Sequence, residues 1–109
     1  MSYDPTVTVP DGYDRRRNRR TVTVRPVTRS ELLSGDFTGD FVSATGEYRR
    51  CKINGRVRTW KTDPNRIEVP AKYGLYEYDT FRWSAIADRA LSSGGAFLCK
   101  VIATHEPRT

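Results

Sequence analysis

The chain has 109 residues, 37% hydrophobic and 11% aromatic, enough for one modest core and too few for two ordinary domains. No apolar run approaches the roughly 20 residues of a membrane-spanning helix, and the N-terminus has no signal-peptide pattern, so a soluble protein is expected in a bacterial or host cytoplasm or in a virion. The formal net charge of +6 is uneven: residues 47–72 hold eight Lys/Arg against three acids, whereas 1–46 are near balance and 73–109 balance. Such concentration points to an anionic partner rather than a generally basic surface, although Arg-rich composition also follows from GC-rich coding.

Residues 1–20 carry Pro5, Pro10, Gly12 and the run RRRNRR (Arg15, Arg16, Arg17, Arg19, Arg20) with few large apolar side chains. They are expected to form a basic extended arm, ordered only by a partner. Residues 21–109 are expected to form a single small β-rich domain.

That domain opens with TVTVRPV, 21–27, where Val22 and Val24 alternate with polar residues. Pro26 cannot donate to a ladder, so this should be an edge or terminal strand. In TRSELLSG, Thr28 and Glu31 fit a capping box and Gly35 a stop, predicting one or two helical turns. DFTGDFVSATGEY reads as loop leading into strand.

EYRRCKINGRVRTWK, 47–61, carries six Lys/Arg in fifteen residues and looks like a hairpin around Asn54-Gly55. A two-residue turn would mix apolar and charged side chains on both faces. A three-residue loop with Gly55 in a bulge sets Cys51 opposite Val57, and Lys52, Arg50 and Tyr48 opposite Arg56, Arg58 and Trp60. One face is then small and apolar, the other basic and aromatic. Like charges facing each other repel, and phosphates would relieve them. The bland alternative is a solvated hairpin whose Arg stems cover the aromatics.

A turn is expected at TDPN, 62–65, then a strand at RIEVP and another at KYGLYEYDTF. SAIADRALSSGG, with Ser84 as N-cap, an apolar Ile86/Ala90/Leu91 face and Gly94-Gly95 as stop, predicts the longer helix. AFLCKVIA predicts a buried strand. The expected fold is mainly β (α+β): a small curled antiparallel sheet or an SH3-like or OB-like barrel with one short and one longer helix.

The stretch NGRVRTWKTDPNRIEVPAKYGLYEY, 54–78, resembles the centre of small uncharacterised prokaryotic and bacteriophage proteins that carry NG, TWK, P, VP and KYGLY in this order. It covers about a quarter of the chain. The resemblance implies a phage or bacterial origin and brings no activity, fold or ligand with it.

No paired catalytic motif, cofactor fingerprint or metal-ligand spacing is visible, so no enzyme, cofactor or metal is expected. Asp36 and Asp40 supply only two carboxylates, His105 reads as a surface residue, and Cys51 and Cys99 as buried thiols. The residues point to a non-catalytic nucleic-acid-binding protein. Arg50, Lys52, Arg56 and Arg58 would contact phosphate, Tyr48 and Trp60 would stack, Lys61, Arg66 and Lys72 would extend the patch, and the arm would assist. The aromatics favour RNA or single strands, with duplex DNA open. The alternatives are an acidic protein partner, or a structural or interaction protein (a virion component, or an inhibitor of a host complex) that docks through the arm.

Overall fold

The computed structural model describes residues 6–13 and 16–105. The chain is mainly β: one antiparallel sheet built from ten strands, with a single short helix among the described residues. The main path runs β1 (Val7–Tyr13), β2 (Arg19–Pro26), β10 (Phe97–His105), β9 (Arg89–Leu91), β8 (Glu77–Ser84), β7 (Asp63–Tyr73), β5 (Lys52–Ile53). Off it, β3 (Asp40–Val42) pairs β10 and β4 (Tyr48–Arg50), and β6 (Arg58–Trp60) pairs β7. The sheet curls so that Arg50 on β4 meets Asp11 on β1 and Arg49 meets Glu77 at the start of β8. No ladder joins β1 to β5, so the expected barrel is not closed.

Two clusters fill the two faces of β10. Leu98 points into the larger one with Phe41, Ile67, Val69 and Phe81, while Phe97 and Cys99 point into the other with Val22, Val24 and Val42. This follows from the period of two: neighbouring apolar residues on a strand face opposite ways. The continuous run AFLC therefore serves both clusters, and Phe41-Val42 does the same on β3.

The short helix forms where the capping box places it. In α1 (Arg29–Ser34) the Glu31 amide donates to Thr28 Oγ1 at 3.2 Å, the Thr28 amide donates to Glu31 Oε1 at 3.0 Å, and Gly35 closes it with φ 80°. Leu32 anchors it in the core.

Five expectations are corrected. The arm is not an unstructured extension: residues 7–13 form β1, paired with β2 from Val7↔Val24 to Tyr13↔Arg19. β2 is consequently an inner strand, and Pro26 is tolerated because it lies beyond the last residue that β1 pairs. The longer helix is absent. Ser84 Oγ does accept the Ala87 amide at 3.1 Å as an N-cap would, but the chain turns at Asp88 (φ 55°) and 89–91 pair with β8 instead. Eight or so residues are marginal as a lone helix, and flanking β8 and β10 offer 89–91 a ladder on each side. KYGLYEYDTF is not one strand but the end of β7, a turn through Gly74 (φ 72°), and β8.

The fifth correction is the hairpin. β5 and β6 do not pair with each other; both lie antiparallel along β7, with Lys52↔Lys72 and Ile53↔Ala71, then Arg58↔Glu68 and Thr59↔Ile67. Residues 52–60 are one strand direction interrupted by a bulge at 54–57, where Gly55 takes φ 112°. The bulge sits opposite Pro70, whose carbonyl accepts the Asn54 amide at 2.8 Å and which has no N–H to give back. The alternation survives: Cys51, Ile53 and Val57 pack on the core while Lys52 and Arg58 are exposed. Among the described residues no helix is long and apolar enough to cross a membrane.

Candidate nucleic-acid interface

On β7, Ile67, Val69 and Ala71 point into the core, so Arg66, Glu68, Pro70 and Lys72 form the outer face. Register extends this face sideways: Arg58 and Arg82 lie opposite Glu68 on β6 and β8, Thr80 opposite Pro70, and Lys52 and Tyr78 opposite Lys72.

Three guanidiniums converge on one carboxylate. Arg82 Nε is 3.4 Å and Arg66 Nε 3.6 Å from Glu68 Oε2, and Arg58 Nη2 is 3.8 Å from Oε1. Glu68 is nearly buried while each Arg stays more than half exposed. Distances this long are looser than the roughly 2.8 Å of a tight charged hydrogen bond, so most of the guanidinium donors stay free. Each exposed Arg contributes only about 0–1 kcal/mol as a pair. The nearly buried Glu68 carboxylate needs a cationic partner to offset its desolvation. Three partners leave positive charge in excess of that need. Arg66 also lies 3.9 Å over the Trp60 ring, and Lys72 5.5 Å from the Tyr78 ring centre. The arrangement is a patch of excess positive charge with aromatic surface at both ends.

Of the residues expected from the sequence, the structure brings Lys52, Arg58, Trp60, Arg66 and Lys72 to this face. Arg56 is exposed in the bulge and Lys61 in the turn between β6 and β7, both next to it. Tyr48 and Arg50 do not belong. Tyr48 packs on the smaller cluster and donates to Asp40 Oδ1 at 2.5 Å; burial first, then this bond, holds its phenol protonated far above the ordinary range. Arg50 is 3.1 Å from Asp11, and its charge is reinforced first by Tyr48 and then by Asp11. Arg16, Arg17, Arg19 and Arg20 sit on the β1–β2 hairpin, at the far end of the strand order from β7; Arg15 lies outside the described residues.

Arg82 and Glu68 were missed by sequence reading. Their signal was the alternation Phe81-Arg82-Trp83 and Ile67-Glu68-Val69, which sends both outward, but it acquires meaning only once β7 and β8 are known to pair.

The remaining reactive groups lead elsewhere. Asp36 pairs with Lys100 and Asp40 with Tyr48, and no group of three potential metal ligands occurs among the described residues. Cys99 is buried and Cys51 half-buried, and burial pushes the Cys51 thiol up to about 12, which leaves it a poor nucleophile. His105 is exposed on β10, 2.8 Å from Thr23 Oγ1. Comparison with protein-family models, with curated proteins and with solved structures found no match.

Proposed function

We propose that this protein binds nucleic acid, without catalysing a reaction, through the outer face of β5 to β8. The observation that carries this reading is the convergence of Arg58, Arg66 and Arg82 on the single carboxylate of Glu68. One acid pre-orients three guanidiniums and leaves two excess charges. Guanidinium forks match phosphate oxygens in pairs, and a phosphate would complete the hydrogen bonding that Glu68 leaves unmade. Trp60 and Tyr78 supply surfaces on which bases stack, and Lys52, Arg56, Lys61 and Lys72 lengthen the track. The Arg residues of the β1–β2 hairpin offer a second anchor for a longer ligand.

The test is the salt dependence of binding to a labelled oligonucleotide. Each phosphate neutralised releases counterions, so log K should fall linearly with log salt. The double variant Arg58→Ala/Arg82→Ala should bind more weakly and reduce the slope by roughly 2. An unchanged slope removes this face from the interface.

A second reading, a structural or interaction protein, is favoured by a different observation. Leu75, Tyr76 and Tyr78 are exposed at the β7–β8 turn, and Ile86 is fully exposed at the β8–β9 turn. That reading predicts an assembly that survives nuclease treatment.

A further inference from the structure

Beside the basic face lies a cleft of about 530 Å³ between the β4–β5 link and the β7–β8 turn. Its body is formed by Cys51, Tyr73, Gly74 and Leu75, and its rim by Arg50, Lys52 and Lys72. The volume falls within the roughly 300–1,000 Å³ of small-ligand sites. The two kinds of lining make different demands, and together they specify a ligand.

The rim is electrostatically unfinished. Lys52 and Lys72 are direct partners in the β5–β7 ladder, a placement that brings side chains about 5 Å apart at their Cβ atoms and sets like charges against each other. Neither has a carboxylate within salt-bridge distance among the described residues, and Lys72 has only the face of Tyr78, 5.5 Å away. An anion between them would relieve the repulsion. The body, in contrast, offers apolar and aromatic surface. Tyr73 is fixed there by Phe41, with ring centres 5.5 Å apart, and by Arg49 at 5.1 Å; Leu75 is 75% exposed at the mouth. A flat apolar group joined to an anion satisfies both parts, and a nucleotide is such a group.

We infer that this cleft takes one unpaired nucleotide, its base against Tyr73 and Leu75 and its phosphate between Lys52 and Lys72, so that the protein prefers single strands. The inference rests on the nucleic-acid reading of the adjoining face. Lys72 and the Arg cluster around Glu68 share the outer side of β7, on the order of 13 Å apart at four residues of strand rise. A strand lying across the cluster therefore reaches the cleft. A base in a duplex is stacked and paired and has no free face to offer.

The experiment is fluorescence anisotropy at low salt with a short labelled oligothymidylate and an oligouridylate, each against its matching duplex. It uses the full chain and the variant Leu75→Ala, whose exposed position leaves the core untouched and which adds no charge beside the basic face. The expected result is tighter binding of single strands, and a variant that loses roughly 3- to 30-fold on single strands as apolar contact with the base is removed, with duplex binding unchanged. Equal affinity for single strands and duplexes, or a variant that weakens both alike or neither, overturns the cleft while the basic face stands. Binding of no strand of either kind overturns both. Circular dichroism of the variant confirms that it is folded.

Discussion

Glu31 shows how much one side chain can organise here. It completes the capping box of α1, accepts two 2.7 Å bonds from Arg25 on β2, and lies 3.5 Å from Lys100 on β10. A helix of six residues has little stability of its own, so these bonds hold it to the sheet. The sequence signalled the cap but not the clamp, because Arg25 and Lys100 belong to other strands. The Arg25 guanidinium holds the Glu31 carboxyl well below the usual carboxylate range. A carboxylate with a depressed folded-state pKa stabilises fully above its unfolded value, near 4.3, and loses that contribution as pH falls below it. Glu31→Gln should therefore cost about 1–3 kcal/mol at neutral pH. The difference from the parent chain should shrink as pH is lowered below about 4. Urea midpoints measured across pH check this; a gap that stays constant with pH would show that the charge of Glu31 contributes nothing.

At the scale of elements, local signals were read correctly wherever they had one meaning. Thr28/Glu31/Gly35 formed a helix, and AFLCKVIA formed a strand with Phe97, Leu98 and Cys99 buried. They failed where two structures share a signal. Asn54-Gly55 suits a hairpin tip and a bulge equally, and Pro70, on another strand, decides between them. Ser84 caps a helix or a turn with the same bond, and the open ladders of β8 and β10 decide for the turn. The backbone where β4 meets β5 is equally dependent on contacts distant in sequence. The Cys51 amide donates to the Gly39 carbonyl, and a Cβ on Gly39 would overlap the Cys51 carbonyl oxygen. Gly39→Ala should destabilise the fold by about 2–3 kcal/mol as the strands part. Gly94→Ala, in open space near Ser92, should stay within about 0.5 kcal/mol. Equal urea midpoints for the two variants would disprove the close approach.

The whole molecule is an open, curled sheet with apolar clusters on both faces of β10 and the Arg58, Arg66 and Arg82 cluster around Glu68 on the outer side of β7. About half of the candidate site was legible in the sequence. Lys52, Arg58 and Trp60 were expected on one face through a hairpin register that the structure does not contain, with Arg66 and Lys72 extending it. The five share a face because β5 and β6 both lie along β7. Tyr48 and Arg50 were misplaced because β4 pairs with β3, not with β6, and Arg82 and Glu68 were passed over because charge alone does not reveal a neighbour. The central claim is that the β7 face, and not the β1–β2 hairpin, is the primary contact surface. Mapping the backbone amide and Trp60 indole shifts of the isotopically labelled protein during titration with an oligonucleotide at low salt tests it most directly. The account predicts that the largest changes fall on Arg58, Trp60, Arg66, Glu68, Lys72 and Arg82. Changes confined to residues 16–20, or no change anywhere, would contradict it.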